Sequence, residues 1–138
     1  LSAPYVLTLV LTRRALRSLP ATLSWLASRR RRIQMNAFIP DRGLGEASDR
    51  LAPLEELRRA LEQTRSDGHE RITTLVGVPY CAVPASLRHK VVPALRTSEQ
   101  DTLTFASACS RCSLRTRCSG VPAGYLHAFG TRGVTPVE

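Results

Sequence analysis

Hydrophobic residues near the start of the chain follow two different spacings, of which the first predicts a strand and the second a helix. The run PYVLTLVLT, residues 4–12, is almost unbroken in Tyr, Val, Leu and Thr, which is typical of a strand buried on both faces in a parallel sheet. The next segment, RRALRSLPATLSWLASRRRR, spaces its leucines more widely, with Ser18 as a candidate N-cap and Pro20 in the first turn. It predicts a helix of about ten residues.

The alternation of strand and helix continues as far as Cys81. RIQMNAFIP, residues 32–40, predicts a second strand, and RITTLVGVPYC, residues 71–81, predicts a third. Between them, APLEELRRALEQTRSDG predicts the clearest helix of the chain, which begins after Pro53 and ends at Gly68. The buried stripe of this helix consists of Leu54, Leu57 and Leu61.

The order of these elements predicts the class of fold. Three strands joined by two helical crossovers indicate right-handed β-α-β units on a parallel sheet, so we expect an α/β chain. Three strands are too few for a closed barrel or a doubly wound domain. A chain of 138 residues can build one compact unit with its own core, but not two large ones.

Composition and charge narrow the range of partners without selecting one. The chain carries 20 Lys and Arg against 11 Asp and Glu, a net charge of +9, which permits nucleic acid, anionic lipid or an acidic peptide. Three Tyr, three Phe and one Trp offer few rings on which single-stranded bases could stack, so nucleic acid is not favoured. No apolar stretch is long enough to cross a bilayer, and no signal-peptide pattern precedes the first strand. We interpret the chain as cytoplasmic and not membrane-bound.

Four cysteines are the most informative residues. Cys109, Cys112 and Cys118 lie in an arginine-rich loop with C-x2-C-x5-C spacing, and Cys81 ends the third predicted strand. Ligands of parallel-sheet proteins gather beyond the carboxyl ends of the strands, so we expect Cys81 to be the fourth partner of this loop. Disulfides and isolated thiols are alternatives, but two cysteines three positions apart in a chain with no secretory signal favour a metal centre.

The spacing also bears on which metal the thiolates bind. Structural zinc usually takes two short-spaced pairs of ligands, whereas this chain has one such pair, with Cys81 28 positions before Cys109. A [4Fe–4S] cluster is larger than one ion and accepts uneven spacings. We therefore expect an iron–sulfur cluster, and zinc stays open as the alternative. The histidines, His69, His89 and His127, are scattered and predict no further ligand.

The combination of GVPYC at the end of a strand with CSRCSLRTRCSGVPAGY downstream resembles the C-terminal part of radical S-adenosylmethionine (radical SAM) enzymes with an auxiliary cluster of the SPASM or twitch type. That family has a Gly-x-Pro-x-Cys element, then C-x2-C-x5-C-x-G, and then a tyrosine. The matching residues here are Gly77, Pro79, Cys81, Cys109, Cys112, Cys118, Gly120 and Tyr125. Four cysteines suffice for one cluster, which is similar to the twitch form.

The resemblance implies a fold, a cofactor and partners. Residues 1–80 would be the C-terminal half of a partial (β/α)6 TIM-like barrel, truncated at its N-terminus, and residues 81–138 a small, irregular, cysteine-rich extension. The four cysteines would bind an auxiliary [4Fe–4S] cluster that assists radical-based modification of a peptide or small polar substrate. The partners would be the missing N-terminal half of the enzyme, the substrate and a reductant protein.

One departure from the family concerns activity. The radical chemistry needs a C-x3-C-x2-C loop, which holds the cluster that reductively cleaves S-adenosylmethionine, and this chain has no such triplet. S-adenosylmethionine and a second [4Fe–4S] cluster are therefore expected only in the full-length enzyme. This chain alone is expected to be inactive, and no catalytic residue is assigned. The alternative function is a basic module with a four-cysteine zinc site that contacts nucleic acid or a protein partner.

Overall fold

The computed structural model describes residues 6–37, 50–94 and 103–138, which form a mixed α/β fold around a four-stranded parallel sheet. The strands are β1 (Val6–Leu11), β2 (Arg32–Ala37), β3 (Ile72–Val76) and β4 (Val91–Val92), in the order β1-β2-β3-β4. The helices are α1 (Arg13–Ser28), α2 (Leu54–Glu62), α3 (Ser66–Arg71) and α4 (Ala123–Phe129). A small antiparallel sheet pairs β5 (Leu103–Thr104) with β6 (Val121–Pro122). The predicted class, α/β with a parallel sheet, is confirmed.

One face of the parallel sheet builds the core. The register places side by side the residues Leu9, Met35, Leu75 and Val91. The two central members of this row are fully buried, and they share one apolar cluster with the leucines of α1 and α2. The prediction that β1 is buried on both faces is wrong. As the edge strand of the described sheet it leaves Val6, Leu7 and Val10 between 44% and 48% exposed.

Helix α1 begins earlier than its sequence pattern predicts. Its N-cap is Thr12, whose hydroxyl oxygen accepts a hydrogen bond from the backbone N–H of Ala15 at 3.2 Å. Ser18 is therefore an interior residue and not the cap, and Pro20 lies in the middle of a 16-residue helix. The buried stripe explains the extra length, because it starts before Ser18 and consists of Leu16, Leu19, Leu23 and Leu26.

The second predicted helix is divided in two. Its start after Pro53 is confirmed, but α2 ends at Glu62 and a separate helix, α3, follows. Gly68 does not end a helix; it lies buried inside α3, where a Cβ atom would be 3.2 Å from the Cβ of Leu23 in α1. The glycine thus permits close packing of the two helices.

The chain after β3 leads to the cysteine-rich part of the molecule. β3 ends earlier than predicted, and Gly77 turns the chain with a positive φ of 69°. Cys81 consequently lies in a 3-10 helix, Tyr80–Ala82, and not in the strand. A second 3-10 helix, Ala85–Lys90, leads to β4, a strand that the periodicity does not predict because it has only two residues. The part of the second predicted strand after residue 37 lies outside the described residues.

Candidate metal centre

The four cysteines come from separate short segments and line one small recess, which we call the cysteine recess. Cys81 reaches it from the 3-10 helix after β3. Cys109 lies in another 3-10 helix, Ser107–Arg111, and Cys112 follows that helix directly. Cys118 follows one further 3-10 turn, and all four are half-buried free thiols. The fold therefore brings Cys81 to the loop cysteines, whereas their role as metal ligands stays a prediction.

The walls of the cysteine recess are mainly apolar. They include Pro79, Tyr80, Phe105, Val121, Val134 and Pro136. Two arginines stack on rings of these walls, since the guanidinium carbon of Arg115 lies 5.3 Å from the Phe105 ring centre and that of Arg117 lies 5.9 Å from the Tyr80 ring centre. Positive charge thus stands next to a thiol-rich apolar surface, which favours a negatively charged group there.

Backbone N–H groups point at three of the four sulfur atoms. The N–H of Gly120 donates to Cys118 Sγ at 3.4 Å, and the N–H of Val137 donates to Cys112 Sγ at the same distance. A third backbone hydrogen bond runs from Thr135 to the Cys81 thiol. Such donors stabilise thiolate more than thiol, and hydrogen bonds of this kind to cysteine sulfur tune the potential of iron–sulfur centres.

The environment of Cys81 opposes ionisation when no cation is bound. Burial is the largest influence and raises the pKa of the Cys81 thiol above its usual range, while the backbone N–H of Thr135 lowers it. Negative charge at Cys118 and Cys109 raises it further, and the positive charge of Arg58 lowers it. The cysteines influence the pKa of one another because their thiols lie close together. A bound metal would instead favour the thiolate form, because it deprotonates coordinating thiols.

Arg58 fastens the backbone of Cys81 to α2. Its Nε donates to the carbonyl oxygen of Cys81 at 2.8 Å, and its Nη2 donates to the same oxygen. Nη2 also reaches the carbonyl oxygen of Gly133 at 3.4 Å. One guanidinium on α2 therefore holds both the segment that carries Cys81 and the C-terminal segment that covers the cysteine recess.

Tyr125, the last residue of the sequence motif, makes a second attachment to α2. Its hydroxyl accepts a hydrogen bond from the Leu54 N–H at 3.0 Å and donates one to the Arg132 carbonyl oxygen at 2.6 Å. The side chain is almost fully buried, and burial raises the pKa of the phenol. The carboxylate of Glu55 pairs with Arg132 at the same place. These contacts hold the chain after α4 over the cysteine recess.

Gly120 stands where no other residue fits. Its φ is +81°, and a Cβ atom would lie 2.3 Å from the carbonyl oxygen of Thr104. Thr104 pairs with Val121 in the small antiparallel sheet, so the close approach belongs to the strand pairing that positions the segment after Cys118. The glycine of the motif is thus explained by backbone geometry.

Several contributors to the recess have no local sequence signal. Phe105, Thr135 and Val137 lie outside the cysteine spacing, and only the fold of the chain end brings them there. The His69 ring lies away from the recess and forms a hydrogen bond there, since its Nε2 lies 2.7 Å from the carbonyl oxygen of Leu61.

Among residues 6–37, 50–94 and 103–138, no group of three or more His, Cys, Asp or Glu side chains has the geometry to hold a metal ion. The cysteines share a recess without converging on a single-ion site.

Comparison with known proteins adds no relative. No protein-family model, curated protein or solved structure matches this chain. No helix in the described ranges is long and apolar enough to cross a membrane. The functional hypothesis depends on the residues and contacts described above.

Proposed function

We propose that this chain binds an auxiliary [4Fe–4S] cluster through Cys81, Cys109, Cys112 and Cys118 and is the C-terminal portion of a radical SAM enzyme. The observation that carries the proposal is the meeting of four thiols at one recess, with backbone N–H donors at three of the sulfurs. Four thiolates are the ordinary ligand set of such a cluster. The assignment to the radical SAM class is supported by the motif spacing.

The side chains around the thiols suit an anionic cluster. When bound, an iron–sulfur cluster supplies one-electron transfer. The chain contributes the positive charge of Arg58, Arg115 and Arg117, which offsets the negative charge of four thiolates. Apolar walls limit solvent access, and the backbone donors orient the sulfurs. Each of these contributions belongs to the protein and is present before any metal binds.

The parallel sheet is consistent with a larger barrel. Its strands are parallel and in sequential order, and α-helices lie between β1 and β2 and between β2 and β3, as in the β-α units of a (β/α) barrel. We propose that residues 1–80 form half of the partial (β/α)6 barrel and residues 81–138 the extension, with β4 adding to the same sheet. The complementary half would hold S-adenosylmethionine and the second cluster. A peptide or small polar molecule would be the substrate, and a reductant protein would supply electrons.

The experiment that tests cluster binding is anaerobic reconstitution of the chain with iron and sulfide. We expect a broad visible absorption and about four irons per chain. Cys112→Ser should lose most of the iron and colour. Ser110→Ala is the matched control, because the hydroxyl of this exposed neighbour donates to the Ser107 carbonyl oxygen in the same turn and the variant should reconstitute like the unmodified chain. One colourless, tightly held zinc per chain would contradict the proposal and support the zinc module.

The radical SAM assignment has a separate test. The reading frame upstream of Leu1 should encode a C-x3-C-x2-C triplet. Co-production of that segment with this chain should yield a complex with S-adenosylmethionine-cleaving activity under reducing conditions. If an initiation codon stands at Leu1 and no such triplet lies upstream, the cluster could still bind but the radical SAM assignment would be wrong.

A further inference from the structure

Three consecutive residues near the end of the chain, 135–137, lie against the cysteine recess. Thr135 and Pro136 line it. The backbone of Thr135 bonds to the Cys81 thiol, and the N–H of Val137 donates to Cys112 Sγ at 3.4 Å. Two of the four sulfurs therefore take a hydrogen bond from the same short segment, which we call the strap.

The residues just before the strap are fixed to the body of the fold. Val134 is buried and belongs to the core cluster, and the carbonyl oxygen of Gly133 accepts a hydrogen bond from Arg58 Nη2 at 3.4 Å. Gly133 also packs closely on α2, since a Cβ atom there would lie 3.0 Å from the backbone nitrogen of Glu55 and 3.1 Å from the Cβ of Leu54. The strap thus starts from a rigid point.

The far end of the strap is held by hydrogen bonds at one residue, and we call this contact the latch. Besides the bond to Cys112, the carbonyl oxygen of Val137 accepts hydrogen bonds from the Ser113 backbone N–H at 2.9 Å and from the Ser113 hydroxyl at 2.8 Å. Ser113 and Thr135 are exposed, so water competes for the bonds of the latch. Contacts of this kind open locally far more often than a buried core does.

We infer that the strap is a gate on the cysteine recess, which opens when Val137 releases Cys112 and Ser113 and closes when these bonds form again. Opening uncovers the sulfurs of Cys81 and Cys112 while the core stays folded. The gate is a property of the metal-free chain and needs no cluster. Its further consequence, that iron and sulfide enter and leave by this route, rests on the proposed function.

The test is the rate at which iodoacetamide alkylates each cysteine of the metal-free chain, at fixed pH and without oxygen, followed by mass spectrometry of its peptides. Cys112 should react more slowly in the folded chain than in the chain unfolded in urea, because only the open strap exposes the thiol. Ser113→Ala removes the hydroxyl bond to Val137 and should speed alkylation of Cys112 by about two- to tenfold, the range for one hydrogen bond. The variant keeps the N–H donors to both sulfurs, so the rate reports access to the thiol and not its acidity.

Ser110→Ala is the matched control for the latch. Ser110 is exposed and lies in the same loop as Ser113, but its hydroxyl donates to the Ser107 carbonyl oxygen within one turn. Its replacement should change the alkylation rate of Cys112 by less than about twofold. Amide hydrogen exchange gives a second measurement, because the Val137 N–H is protected only while the latch is closed. Ser113→Ala should lower this protection by the same factor as it speeds alkylation.

Three results would overturn the gate. One is that Cys112 reacts as fast in the folded, unmodified chain as in the unfolded chain. A second is an equal change of rate in Ser113→Ala and Ser110→Ala. The third is an unchanged protection of the Val137 N–H in Ser113→Ala.

Reconstitution with iron and sulfide tests the consequence for the cluster. Because a gate changes entry and exit together, Ser113→Ala should both acquire iron faster and lose it faster to a chelator. If only one of the two rates changes, the strap is not the route of iron. If no cluster forms in the unmodified chain, the proposed function is wrong, whereas alkylation and hydrogen exchange still decide whether the gate exists.

Discussion

Two glycines of the C-terminal region allow backbone strain and steric clash to be measured separately. Gly120 and Gly130 both have positive φ, at +81° and +58°. A Cβ atom at Gly120 would lie 2.3 Å from the carbonyl oxygen of Thr104 and 3.1 Å from its carbonyl carbon. At Gly130, no atom of the described residues beyond its chain neighbours lies within 4 Å of a Cβ atom. Alanine at Gly130 therefore introduces strain alone, and alanine at Gly120 introduces strain and a clash with backbone.

The expected magnitudes follow from these two effects. A sparsely populated backbone conformation costs an alanine about 1–3 kcal/mol, and Gly130, with φ of 58° and ψ of −137°, lies in one that L-residues rarely adopt. Overpacking against backbone that must shift costs about 1–3 kcal/mol more. We expect Gly130→Ala to lower the free energy of unfolding by about 1–3 kcal/mol and Gly120→Ala to lower it by about 2–6 kcal/mol. The clash also separates β5 from β6 and moves the N–H that donates to Cys118 Sγ.

The assay is urea unfolding of the unmodified chain and both variants, followed by circular dichroism. The dependence of the free energy on urea should be the same for all three, so that midpoint differences report stability. After reconstitution, Gly120→Ala should also retain less iron than Gly130→Ala. Equal losses of stability, within about 0.5 kcal/mol, would refute the argument that the approach to Thr104 requires glycine. Equal iron contents would refute its link to the cysteine recess.

Three further predictions concern the contacts that hold the fold together. Tyr125→Phe should lower the free energy of unfolding by about 1–3 kcal/mol, because it leaves the Leu54 N–H and the Arg132 carbonyl without their buried partner. An unchanged urea midpoint would contradict this prediction. Because burial raises the pKa of Tyr125, the folded state holds the phenolic proton more tightly, so stability should fall as pH rises above about 10, and Tyr125→Phe should flatten this alkaline decline. Gly68→Ala should lower the thermal midpoint, since its Cβ would lie 2.8 Å from the Thr64 methyl group and 3.2 Å from the Leu23 Cβ. The resulting overpacking, about 1–3 kcal/mol, exceeds the gain of about 1 kcal/mol in helix propensity; a higher midpoint would show that these neighbours move aside without cost.

The order of strands and helices could be predicted from the sequence because it depends on local periodicity. Apolar runs of strand length and the leucine stripe of α2 identify their elements without knowledge of any neighbour. Element ends were less predictable. Ser18 and Thr12 are both acceptable caps by residue type, and the buried Leu16 on the sheet side decides for Thr12. Gly68 is of a residue type that often ends helices, but it lies inside α3 because only a glycine allows this close an approach to Leu23.

For the candidate site, too, features set by neighbouring residues could be predicted, and features set by distant segments could not. The sequence alone determined that four thiols occur, that three of them share a loop, and that a glycine and a tyrosine follow at fixed distances. Only the tertiary structure decided that Cys81 joins them and that the backbone of Val137 donates to Cys112. The physical reason is that spacing constrains residues a few positions apart, whereas backbone donors and buried cations are brought to a site by packing between segments far apart in the chain.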